Sequence, residues 1–173
     1  MKFDDETFRV TDDSGFLALV DPENYSSFVD PDWDFIDDLL PHFLQEMSKF
    51  HLLIWSTDME SIWKVRVHVG EVDANGYRET VGYIASGGRL LVTNYESLTM
   101  AAQFDDVKLP ERHQAHLEFS VEPGIYRCRI VQIHSHKYGE RTGMDTAEQH
   151  YVLELIKTDE KPLPWEAIAF FKM

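Results

Sequence analysis

The residues best suited to chemistry lie in the run His134-Ser135-His136-Lys137-Tyr138-Gly139-Glu140. Side chains two apart on a β-strand share a face, so His134 and His136 would turn both imidazoles toward one ion, with Glu140 adding a carboxylate. Neutral imidazole with carboxylate suits zinc, iron, manganese or nickel, according to geometry. His150 begins the segment that should return beside them and is a candidate further ligand. The plainer explanation is that the histidines end a hairpin strand, with Lys137, Tyr138 and Glu140 in a solvated loop. Other signatures are missing: no G-x-G-x-x-G, Walker A loop, H-E-x-x-H or G-x-S-x-G occurs, and no cofactor is expected. Cys128 is alone, which excludes an internal disulfide or a cysteine zinc cluster. It sits mid-strand between Arg127 and Arg129 and reads as a buried, inert thiol.

The second constellation is one of charge. Lys and Arg number 16 against 31 Asp and Glu, a net charge of −15 at pH 7. A field of that sign repels phosphate backbones, so direct nucleic-acid binding is not expected. It favours a basic protein partner, although solubility alone would also account for it. Asp30, Asp32, Asp34, Asp37 and Asp38, with Trp33 among them, are the candidate contact residues. They would steer a basic partner in, and the aromatic would then anchor it. The competing explanation is a solvated helix face with Trp33 in the core. The spacing Asp30-x-Asp32-x-Asp34 fails as a calcium loop, because Phe35 stands where glycine is needed and Pro41 where the bidentate glutamate belongs.

These residues must be positioned by elements that the periodicity outlines. Phe16–Val20 reads as a strand. Trp33, Phe35, Ile36, Leu39, Leu40, Phe43, Leu44 and Met47 recur at near-helical spacing across Pro41, giving two short helices or one broken one. From Lys64 the period becomes two. Tight turns at Asn75-Gly76 and Gly87-Gly88 would set Val67 opposite Ile84 and Ile84 opposite Leu91 in a three-stranded meander. Thr93-Asn94-Tyr95-Glu96 fits a capping box ahead of a short helix. His116–Val121 and Ile125–His134 pair about Pro123-Gly124, setting Phe119 against Cys128 and Glu118 against Arg129. Tyr151–Ile156 returns beside them, and Ala167–Phe171 forms a last strand. The fold class is mainly β: an antiparallel two-sheet β-sandwich, or an open barrel, with one or two short helices. Residues 1–173 read as one domain with an acidic helical insertion at about 30–50. No apolar run approaches the roughly 18 residues of a membrane helix. The start, Met1-Lys2-Phe3-Asp4-Asp5-Glu6, lacks signal-peptide features, and a cytoplasmic protein is expected.

Two resemblances attach to these residues. His134-x-His136-x-x-x-Glu140, with Tyr151-Val152-Leu153-Glu154 after it, resembles the first motif of the cupin family, which implies a metal held inside a barrel and a metal-dependent enzyme. The second cupin motif is missing, as no histidine follows His150, and so are the proline and glycine that should precede the pair. The strand Gly15–Pro22, the segment Arg89–Asn94 with its helix, and Phe119–Ile130 with its run "VEPGIYRCRI" resemble small bacterial β-sandwich domains of the competence nuclease-inhibitor and immunity-protein kind. That resemblance spans about residues 15 to 157. It implies a non-enzymatic module that binds and blocks a basic effector such as a nuclease.

Overall fold

The computed structural model describes residues 3–136 and 147–172. Among the described residues, nine strands follow the hydrophobic pattern: β1 (Asp5–Asp12), β2 (Phe16–Val20), β3 (Leu52–Ser56), β4 (Ser61–Val69), β5 (Arg78–Ser86), β6 (Arg89–Asn94), β7 (Glu118–Ser120), β8 (Gly124–Gln132) and β9 (Tyr151–Lys157). Alternation sends Trp63, Val65 and Val67 of β4 inward, and Phe8 and Val10 of β1 join them. The strands form a five-stranded sheet in the order β1-β4-β9-β8-β5 and a four-stranded sheet in the order β3-β2-β6-β7. Trp55, Trp63, Tyr126 and Tyr151, all fully buried, lie in the shared core with the aliphatic side chains of both sheets. The two-sheet, mainly β class is as expected. It is not wholly antiparallel, because β4 and β9 run parallel.

The strand partners differ from the expected meander. β4 and β5 do not pair, because β9 and β8 stand between them. The connection at residues 70–77 therefore spans three strand spacings, about 14 Å. Arg129 holds this connection through the Val72 and Ala74 carbonyls, and Glu154 accepts from the Val72 N–H at 2.9 Å. Gly76 serves close approach here rather than a tight hairpin: a Cβ would lie 2.4 Å from the Gln132 carbonyl oxygen. Gly87-Gly88 does turn the chain, but β5 and β6 belong to different sheets. Phe119 accordingly faces Leu90, and Cys128 faces Gly82 and Leu155. Arg129 pairs with Glu154, and Glu118 with Arg89. Residues 167–171 supply a single bridge, Ala169 to Trp55, rather than a strand.

One buried carboxylate ties the sheets together. Asp12 ends β1 at 1% exposure. Its Oδ1 accepts from the N–H groups of Ser14, Gly15 and Phe16 at 3.1, 2.7 and 3.2 Å. Its Oδ2 accepts from Thr57 Oγ1 at 2.6 Å and Trp63 Nε1 at 2.8 Å. The β1–β2 turn is thereby fastened to the β3–β4 turn.

Helical segments close the ends. The residues flanking Pro41 form one continuous piece: a π-helical turn (Phe35–Leu39) running into α1 (Leu40–Ser48). Pro41 stands at the junction, in the first turn of α1, where it cannot continue the bond series in which the Leu40 N–H reaches the Phe35 carbonyl. α2 (Tyr95–Gln103) is capped by Asn94, which accepts from the Ser97 N–H, one residue later than the expected Thr93 cap. Residues Arg112–Leu117 form a 3-10 turn where the start of a strand was expected.

Candidate functional site

The acidic face is built by the π-helical turn. Asp34 caps it, accepting from the N–H groups of Ile36 and Asp37 at 2.9 Å each, while Asp38 Oδ2 accepts from the Asp34 N–H at 2.8 Å. This reciprocal pair works as a capping box does, with Asp38 one residue beyond the usual position. Asp30 accepts from the Asp32 N–H at 2.8 Å, and the Val29 and Asp30 N–H groups both donate to the Ala102 carbonyl, which docks the segment on α2. Asp30, Asp37 and Asp38 line one groove of about 480 Å³ between residues 26–30 and α1. Asp32 and Asp34 are exposed but lie outside its lining. The carboxylates of Asp32 and Asp37 have no partner among the described residues. Asp34 and Asp38 are spent in part on the cap, and Asp30 on its turn.

Trp33 is half-buried against the core, so it is not the exposed aromatic of this face. Phe28 and Ile36 are the apolar side chains exposed here, at 44% and 51%. The pattern hid Ile36 because a π-helical turn is wider than an α turn and shifts the phase, while Leu39, Phe43 and Met47 keep the inward stripe. Phe28 follows two serines in a loop, where no periodicity marks it. Inside the groove the ring of His42 packs edge-on to Tyr25. Burial pushes the His42 pKa below the ordinary histidine value, so the ring is neutral at pH 7. Glu46, at 1% exposure, is held by the Ser26 N–H at 2.6 Å and lies near His51 and Lys49.

The two histidines of the first constellation do not share a strand. β8 ends at Gln132, and both lie beyond it. His136 is buried, its ring stacked on Trp63 at 4.5 Å, with Nδ1–H donating to the Thr57 carbonyl at 2.6 Å. Burial lowers its pKa as well. His134 is half-buried, and its carbonyl accepts from Gln132 Nε2. His150 also packs on Trp63, and its Nδ1 accepts from the Lys64 N–H at 2.9 Å. Glu140 lies outside the described residues. Among the described residues, no three His, Cys, Asp or Glu side chains converge in a way that could hold a metal ion. Cys128 is fully buried, and burial pushes its thiol pKa far up, so it is no nucleophile.

A cleft of about 880 Å³ is lined by Arg78, Asp58, His136 and Phe170 among others. Two of its charged groups, Arg78 and Asp58, are occupied with each other. Arg78 bonds Asp58 at 2.6 Å and Gln132 at 2.7 Å, and its guanidinium lies 4.1 Å from the centre of the Phe170 ring. Asp58 and Phe170 both have φ near +65°, a conformation that costs energy without glycine and is held by these contacts (66° and 63°).

No family model matches the chain, and no curated protein matches it in sequence. Two solved structures share its fold. One is described as crocagin biosynthetic gene J, with a TM-score of 0.56 and 12% identity over 89% of this chain and 96% of that one. The other is ComJ from Bacillus subtilis, described as an inhibitor of the DNA-degrading activity of NucA, with a TM-score of 0.50 and 5% identity over 88% and 96%. The resemblance to the competence nuclease-inhibitor kind of β-sandwich is thus found again in three dimensions. At these identities the likeness is one of fold.

Proposed function

We propose that this chain is a non-enzymatic binding module of the inhibitor type, which covers a basic protein partner with the acidic face around the π-helical turn. The observation that carries the reading is the grouping of Asp30, Asp37 and Asp38 along one groove, with Phe28 exposed in its lining. Long-range attraction from a chain of net charge −15 would speed encounter. Phe28 and Ile36 would then supply the apolar contact that sets the dissociation rate. Asp32 and Asp34 extend the negative field beyond the groove, and Trp33 backs the face from the core. The fold shared with a protein described as a nuclease inhibitor supports a protein, rather than a small molecule, as ligand. The site of action is the cytoplasm.

Capture from extract at low and high salt, followed by titration of the purified partner, tests the reading. Asp32→Lys with Asp37→Lys changes two carboxylates that hold nothing in the fold. The pair should weaken binding at least about tenfold and reduce the salt dependence. A partner whose affinity ignores both salt and these substitutions would refute the reading.

A further inference from the structure

A two-sheet sandwich has four sheet edges, and three of these are covered or short. The outer edge of β3 is bonded by the chain's last segment, through Ser56 N–H to the Ala169 carbonyl and Ala169 N–H to the Ile54 carbonyl. The outer edge of β5 meets Trp165 Nε1 at the Val81 carbonyl and the Phe50 carbonyl at the Ala85 N–H. β7 is three residues long. β1 is the exception, at eight residues.

The parity of its ladder shows which groups are open. Val69 N–H donates to the Asp4 carbonyl, so even-numbered residues of β1 bond toward β4, and Asp5, Thr7, Arg9 and Thr11 turn their backbone groups away. Asn94 Nδ2 donates to the Thr11 carbonyl from outside, as that parity requires. Among the described residues nothing bonds the outward backbone groups of Asp5, Thr7 and Arg9. Unpaired groups in such a row are a template for an added strand.

The surroundings select the occupant. One groove, about 430 Å³, flanks the start of β1 and is lined by Asp4, Asp5, Glu6 and Glu118. Another, about 470 Å³, flanks its far half and is lined by Asp13, Glu96 and Glu111, with Arg9 as the sole Lys or Arg side chain lining either groove. A second copy of the chain would bring the same acidic flanks against these. Asp5 is paired with Arg66 and Glu118 with Arg89, but Asp4, Glu6, Asp13 and Glu111 hold no cation among the described residues and would complement an extended segment bearing Lys or Arg. We propose that the outer edge of β1, from Asp5 to Arg9, receives a basic extended segment of the protein partner as an additional strand. This rests on the basic-partner reading above but assigns the backbone contact to a second face.

The test uses a blocked octapeptide of alternating lysine and valine, and a twin N-methylated at every residue. The twin keeps the charge and loses the N–H donors of both edges. Amide exchange by NMR should show Thr7 and Arg9 slowed at least about tenfold by the parent peptide. Thr7→Pro removes an outward N–H and no ladder bond. It should weaken parent binding about tenfold at unchanged thermal stability, and the twin should bind wild type as weakly. Equal, salt-sensitive binding of parent and twin that is lost in Asp32→Lys/Asp37→Lys would overturn the strand-addition proposal and leave the basic-partner reading standing. Failure of the peptide to bind overturns this proposal, while capture of a salt-sensitive basic partner still decides the other. Thr7 and Arg9 already protected in free protein that sediments as a dimer would give the edge to a second copy and overturn it as well.

Discussion

Replacing Asp12 by asparagine keeps the shape of the side chain and changes one bonding atom, so its cost can be worked from the geometry. Oδ1 must stay with the N–H groups of Ser14, Gly15 and Phe16, because turning the amide around would leave three donors unmet, that of Gly15 buried. The new NH₂ then faces Thr57 and Trp63. Thr57 Oγ1 can adapt by donating instead to the Met59 carbonyl, 2.9 Å away, and accepting from the amide. Trp63 Nε1 cannot adapt, since indole is a donor only. One orphaned buried donor costs about 1–3 kcal/mol, and loss of charge assistance on the other bonds adds about 1. A total of about 2–4 kcal/mol should lower the urea midpoint by roughly 1–2 M with the slope unchanged. Trp63→Phe removes the stranded donor, so Asp12→Asn should cost about 1–2 kcal/mol less in that background than in wild type. Additivity of the two substitutions within about 0.5 kcal/mol would refute this account.

Other outcomes follow from the same structure. Burial holds the His42 and His136 pKa values below the ordinary histidine value, so the unfolded chain takes up protons first; stability should be full above about pH 6.5 and fall as pH drops through that value, and His136→Gln should flatten this limb in urea titrations at about pH 7.5 and 5.5. Burial alone would raise the Glu154 pKa, but Arg129 and the Val72 N–H more than offset it. Glu154→Gln should therefore cost about 1.5–3 kcal/mol by thermal melting and speed amide exchange across residues 70–77. Gly76→Ala drives a methyl into the Gln132 backbone and should destabilise by about 2 kcal/mol or more, whereas a Gly76 serving only a turn would lose less.

The strands β4 and β8 were readable because a half-buried strand has its own period, and β2 and β9, buried on both faces, because they are short apolar runs. Their partners were not readable, since a period of two suits any neighbour of matching polarity. Asn75-Gly76 shows the difficulty: a dipeptide favoured in tight hairpins here keeps a long connection close to the Gln132 backbone. The aspartates of the acidic face were legible as charge, but Ile36 was not legible as exposed, because the π-helical turn moves it out of α-helical phase. The surroundings of His136 could not be read at all. They come from Thr57 and Trp63, far earlier in the chain, at 79 residues for the Thr57 bond.

The place of β9 has a consequence for how the chain folds. The central strand of the five-stranded sheet is the last of the nine in sequence, inserted parallel to β4 and antiparallel to β8. Until it arrives, β1–β4 and β5–β8 are separate two-stranded ribbons, each with an apolar edge that will be buried only by Tyr151–Lys157. Contacts across such separations make folding slow, and ribbons awaiting a middle strand are prone to pair with the wrong chain. During synthesis the window of risk closes when residue 157 clears the ribosome, and substitutions that weaken β9 should raise aggregation in cells more than they lower the stability of folded protein.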